Sequence, residues 1–145
     1  MRMILTRRSL VALAVAAPAA APAAAPAQTA EPRVMTARQA HEAQQAGRIV
    51  LVDIRTPQEW AETGVPKGAA RIDVAARDFL PKLEALRDAN PGKDIALICR
   101  TSSRSAHAAR ALARRGWTNV IDVGGGVAGS PRGEGWFAQG LPVER

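Results

Sequence analysis

Cysteine is nearly missing from this chain: Cys99 is the only one among 145 residues. A single thiol excludes an internal disulfide. The only histidines, His41 and His107, are distant from it and from each other, so no zinc site can be assembled around it. Cys99 is therefore either a small buried hydrophobe or a reactive group. Tyrosine is absent and phenylalanine occurs twice. The basic residues are scattered, so no interleaving of aromatic and basic side chains marks a nucleic-acid surface. No apolar run is long enough to span a membrane; Leu10 to Ala17 is short and rich in alanine.

Acids are missing from the N-terminus, where Glu31 is the first, while Arg2, Arg7 and Arg8 lie ahead of the apolar stretch. Pro18 ends that stretch, and Ala25-Pro26-Ala27 offers small residues for cleavage. Residues 1–27 therefore read as a signal peptide. The segment Thr6-Arg7-Arg8-Ser9-Leu10-Val11 resembles a twin-arginine export signal. A short linker at 28–33 follows, and a single folded domain is expected over 34–143. Export from a bacterial cell puts the domain in the periplasm, an oxidising compartment. A lone thiol kept there points to a use for it. The net charge is +7, and without the three leader arginines it is +4. That mildly basic balance reads first as the mark of a basic, arginine-biased proteome, and a positive field would still help an anionic substrate arrive.

What is present after the leader alternates between helix and strand. Thr36 is a good cap for a helix over Ala37 to Ala46, ended by Gly47. Ile49-Val50-Leu51-Val52 is a continuous apolar run that reads as a buried parallel strand. Thr56 and Pro57 open a short helix, and Glu59 completes a capping box. A short strand is expected near Ala70 to Asp73, a helix over Asp78 to Leu86, and a turn at Asn90-Pro91-Gly92. Ile95-Ala96-Leu97-Ile98 is a second buried run, ending at Cys99. Ser105 to Arg115 is an Ala- and Arg-rich helix closed by Gly116. Val120 to Val123 is the last strand, and Trp136 to Gln139 a last helical turn. This alternation predicts an α/β fold with a parallel sheet and helices on both faces.

Ligands of open α/β sheets bind beyond the carboxyl ends of the strands. Cys99 stands at such an end, just before a helix. Amides of the segment Arg100 to Ser105 can turn inward there and favour a thiolate or a bound oxyanion. Arg100 and Arg104 add positive charge at the rim. Thr101, Ser102 and Ser103 are small and carry hydroxyl donors. A cysteine phosphatase loop, C-x5-R, needs its arginine at position 105, which is Ser105; the arginine is Arg104. The loop is one residue tighter, which suits an added sulfur atom better than a tetrahedral phosphate.

Cys99-Arg100-Thr101-Ser102-Ser103-Arg104-Ser105 resembles the C-R-x-x-x-R-S loop of the rhodanese (thiosulfate sulfurtransferase) family. Asp53-Ile54-Arg55-Thr56-Pro57-Gln58-Glu59-Trp60 resembles that family's D-V-R-x-x-x-E-[FWY] motif. Gly116-Trp117-Thr118-Asn119-Val120, Gly124-Gly125 and Leu141-Pro142-Val143 resemble its later landmarks, in order and at the right spacing. Two departures stand out. Val65 replaces the histidine of the family's G-H-I-P-G-A segment, and Gly129 to Gly135 reads as a small insertion. The resemblance implies a single-domain rhodanese-like fold, with a central parallel sheet of about five strands and helices on both faces. It implies a sulfurtransferase whose Cys99 takes sulfur from a small anionic donor such as thiosulfate, forming a persulfide. Cyanide or a thiol then accepts the sulfur, with ping-pong kinetics and no metal or organic cofactor.

The residues leave several readings side by side. Arg104 either holds the loop by an ion pair or touches the substrate, whereas Arg100 faces the substrate. Asp53 and Arg55 brace the loop from the neighbouring strand. His41 and His107 lie at the surface, and Trp60, Trp117 and Trp136 pack. Beside the enzyme stands a persulfide carrier or binding module of the same fold, which delivers sulfur to a periplasmic protein partner without turnover. A phosphatase or arsenate reductase is disfavoured by the loop length. No nucleic-acid partner and no stable membrane span are expected.

Overall fold

Caps and glycines cut the chain into short elements. The computed structural model describes residues 31–145, so the expected signal peptide lies outside the described residues. Strand β1 (Arg33–Thr36) runs straight into helix α1 (Ala37–Gln45), where Thr36 forms a full capping box with Gln39. Gly47 at φ +70° turns the chain into β2 (Ile49–Asp53). Helix α2 (Pro57–Thr63) begins with the expected box, Thr56 and Glu59 capping each other and Pro57 in the first turn. Strand β3 (Val65–Pro66) and β4 (Ala70–Arg71) follow, then α3 (Phe79–Asp88), β5 (Asp94–Ile98), α4 (Ser103–Arg114), β6 (Val120–Gly124) and β7 (Val143–Glu144).

Five strands form one parallel sheet in the order β1-β6-β5-β2-β4, and β3 and β7 make a small antiparallel ribbon. The crossovers therefore put β5 in the middle of the sheet, flanked by β2 and β6. Both faces are covered. On one, Ala37, Ala40 and Ala43 of α1 pack on Leu51, Ile98, Ile121 and Trp136. On the other, Leu83 of α3 and Ala108, Ala109 and Leu112 of α4 pack on Val52, Ile95, Leu97 and Val120. Fully burying one such Leu, Ile or Val stabilises the fold by about 1.5–3 kcal/mol. The alanines of α1 and α4 bring the helix backbones close to the sheet, which fixes where the end of β5 meets the start of α4.

Four details depart from expectation. Helix α4 starts at Ser103, two residues early, so Arg104 and Ser105 belong to its first turn. Trp136–Gln139 forms turns without a helix, and Trp136 is fully buried. His41 is half-buried and stands edge-on to Trp136 at 5.5 Å between ring centroids. The sheet also takes in β1, which begins at Arg33, inside the expected linker.

Candidate active site

The central strand β5 delivers Cys99 to the carboxyl end of the sheet, where it is 1% exposed. Only Arg100, Thr101 and Ser102 separate it from α4. Such a short connection requires one residue to reverse the chain, and Ser102 does so at φ +72°. It is the only described residue other than glycine with a positive φ. Its buried hydroxyl donates to Asp122 Oδ2 at 2.6 Å. Asp122, buried in β6, also accepts from the Ser105 hydroxyl at Oδ1, again at 2.6 Å. Ser105 in turn meets the sulfur twice. Its backbone N–H donates to Cys99 Sγ at 3.4 Å, and its Oγ lies 3.3 Å from the same sulfur. Either the hydroxyl or the thiol can be the donor of that last contact. The sulfur thus sits at the N-terminal turn of a twelve-residue helix, where the unpaired amides favour negative charge.

Gly126 closes the loop from behind. At φ +63°, a Cβ there would fall 2.5 Å from the carbonyl oxygens of both Cys99 and Arg100. The close approach lets Val127 and Ala128 donate their N–H groups to those carbonyls at 2.9 Å each. The loop backbone is thereby tied to the chain leaving β6.

Arg104 reaches across to α2. Its Nη1 and Nη2 donate to Glu59 Oε2 and Oε1 at 2.8 and 2.7 Å, a two-pronged pair. The Arg104 guanidinium, aided by the Thr56 amide, holds the Glu59 carboxyl down at about 2. Glu59 in turn raises the Arg104 value, with Cys99 a smaller contributor. The structure therefore favours the loop-holding reading of Arg104.

Asp53 and Arg55 make their hydrogen bonds with each other and with the end of α2 rather than with the loop. Arg55 is 1% exposed and spends its donors locally. It binds both Asp53 oxygens, Thr63 Oγ1 and the Gly64 carbonyl. The pair braces the turn after β2 and the end of α2. Its support extends toward the loop through α2, which carries Glu59.

Arg100, Thr101 and Ser103 are exposed around the loop, while Ser102 and Ser105 are buried beneath it. A cavity of about 200 Å³ lies on the Arg100 side, with Arg55, Glu59 and Thr63 on its wall. His107 is exposed on α4, and Trp117 packs under Arg87, whose guanidinium carbon is 4.3 Å from the ring centroid. Sequence reasoning missed Asp122, Gly126 and Arg132, and missed Glu59 as the partner of Arg104. Asp122 carried a readable signal, being a lone acid inside the apolar strand Val120 to Val123.

The model of the Rhodanese-like domain family matches residues 36–129. The chain belongs to the rhodanese-like domain family. A protein of Allochromatium vinosum named a sulfurtransferase is 28% identical over 98 residues, covering 66% of this chain and 78% of that relative. A rhodanese-related protein of Thermoplasma volcanium superposes with a TM-score of 0.61 at 27% identity, over 77% of this chain and 97% of that one. The polysulfide-sulfur transferase homodimer of Wolinella succinogenes shares the fold, with a TM-score of 0.61 at 23% identity over 79% of each chain. Membership in the rhodanese-like family and a relative named a sulfurtransferase support sulfur transfer as the general class of chemistry.

Proposed function

We propose that this protein is an exported, periplasmic sulfurtransferase that moves a sulfane sulfur from a small anionic donor to a thiophilic acceptor through a persulfide on Cys99. The observation that carries this reading is the position of Cys99 Sγ, which is bonded by the Ser105 amide at the first turn of α4. A nucleophilic thiolate needs stabilising dipoles, and the amides of this turn supply them.

The cycle has two displacements. The Cys99 thiolate attacks the outer sulfur of thiosulfate. A new S–S bond forms on Cys99, the donor's S–S bond breaks, and sulfite leaves with the bonding pair. A thiolate or cyanide then attacks the outer sulfur of the persulfide. That S–S bond breaks and Cys99 departs as a thiolate, ready for another round. No external oxidant or reductant is needed in either step. Arg104 is committed to Glu59 and holds the loop. Arg100, exposed at the rim and without an ion pair among the described residues, is the cation that meets the donor's oxygens. The acceptor is cyanide, a small thiol, or a protein thiol in the same compartment.

The test is intact-protein mass spectrometry of the reduced full chain after adding thiosulfate, with Cys99→Ala as the control and a cyanide chase. The expected result is a gain of one sulfur atom on wild type only, removed by cyanide. No gain from thiosulfate, with sulfur passing only between Cys99 and a protein partner, replaces the turnover enzyme with a carrier. Equal gain on the Cys99→Ala variant overturns the proposal.

A further inference from the structure

The inserted segment 129–135 is folded back on itself. Ser130 and Gly133 exchange backbone hydrogen bonds at 3.0 Å in each direction. The two stems touch, since a Cβ on Gly135 would fall 2.3 Å from the Gly129 nitrogen. The hook projects Arg132 toward the loop, where Nη1 lies 3.3 Å from both Ser102 Oγ and Asp122 Oδ2. Between the hook and α4 lies a cavity of about 540 Å³. Thr101 and Ser103 of the sulfur loop form part of its wall, Ser130 adds a third hydroxyl, and its charged lining groups are Arg110 and Arg132. Among the described residues no carboxylate lines it. Arg132 already leans on Asp122, whereas Arg110 has no ion pair among the described residues.

The charge selects an anion. The volume exceeds what thiosulfate, sulfite or cyanide fills and falls in the range of sites for organic molecules. The shared residues Thr101 and Ser103 put the cavity beside the sulfur-bearing loop. We infer that this cavity is the acceptor site, and that its ligand is a small organic thiol carrying carboxylates, which bind Arg110 and Arg132. This rests on the sulfur-transfer reading of Cys99. The bound thiolate attacks the outer sulfur of Cys99–S–SH. A bond forms between the two, the Cys99–S bond breaks, Cys99 leaves as a thiolate, and the proton stays on the transferred sulfur.

The test separates the acceptor step from loading. Persulfide-loaded full chain is discharged with mercaptosuccinate, 2-mercaptoethanol or cyanide, the two thiols being compared at equal thiolate concentration. Wild type is expected to prefer mercaptosuccinate. Arg110→Gln is expected to raise KM for mercaptosuccinate about five- to tenfold, the scale of one charge-assisted contact. Its kcat should hold, its reactions with 2-mercaptoethanol and cyanide, which carry no carboxylate, should fall by less than about twofold, and Arg110→Lys should recover most of the preference. No preference in wild type, or equal losses with both thiols in Arg110→Gln, overturns the assignment. Binding of (methylthio)succinate, which cannot accept sulfur, is measured separately by calorimetry. Binding that depends on Arg110 in a protein whose Cys99 is loaded neither by thiosulfate nor by a protein persulfide keeps the cavity and removes the sulfur-transfer reading. Absence of such binding removes the cavity, whatever loading shows.

Discussion

Ser102 carries a conformational cost that its own side chain offsets. A left-handed backbone costs a residue with a Cβ about 1–2 kcal/mol. A hydrogen bond to a buried carboxylate returns about 1.5–3 kcal/mol, and Ser102 makes one to Asp122 at 2.6 Å. Replacing Ser102 by glycine removes both effects, so Ser102→Gly is expected to cost no more than about 2 kcal/mol of unfolding stability. Asp122→Ala is different. It leaves two buried hydroxyls, those of Ser102 and Ser105, without their acceptor. That loss is expected to be about 3 kcal/mol or more. Urea unfolding of the two variants checks the ranking, and equal losses would show that Asp122 is not the anchor of the loop. The same residues show what was legible. The run Cys99 to Ser105 could be read because its chemistry is contiguous. Asp122 approaches it across 17 and 20 residues of chain, through a strand pairing that no local pattern encodes. Glu59 was visible as a cap, yet its carboxylate also serves Arg104, 45 residues away.

Between elements, the link that matters to the site is the one Glu59 and Arg104 make from α2 to α4. Glu59 has its carboxyl value lowered from 4.5 to about 2 by Arg104. A depressed carboxyl stabilises the fold above its unfolded value and stops doing so once it is protonated in both states. The stabilisation is therefore complete above about pH 4.5 and is lost progressively as the pH falls toward 2. Glu59→Gln is expected to be less stable than wild type at neutral pH. The gap should narrow below pH 4.5 and close near pH 2. Denaturant midpoints of both proteins across that range measure it, and a gap that stays constant with pH would show that charge is not the source. Elements that bury apolar runs, β2, β5 and β6, could be read from sequence, as could the capped helices α1 and α2. Strand β1 could not, because it is a sheet edge with exposed side chains such as Val34. Strands β3 and β7 have two residues each and exist only through their mutual pairing. The early start of α4 was hidden by its polar first turn, where Ser103 is exposed and Ser105 and Arg104 are spent on Asp122, Cys99 and Glu59 rather than on a packed face.

The charge of the whole molecule acts on arrival rather than on chemistry. Residues 31–145 carry a net +4, which is modest. The distribution adds to it, since Arg100 borders one cavity beside the sulfur loop and Arg110 and Arg132 border the other. A doubly charged donor approaching this mouth gains from a field that neutral reagents do not feel. Salt shortens the reach of that field, with a screening length of about 10 Å at 0.1 M and about 3 Å at 1 M. The rate of Cys99 loading by thiosulfate is therefore expected to fall several-fold between about 0.02 M and about 0.5 M salt. Alkylation of Cys99 by neutral iodoacetamide supplies the comparison, because it reports the same sulfur without the donor's charge. Its rate should change little over that range. If both rates fall together, salt is acting on the loop or on the thiol itself, and the fields of the three arginines do not steer the donor. If only thiosulfate slows, and Arg100→Gln removes most of the salt dependence, the rim arginine is the group that draws the anion to the sulfur.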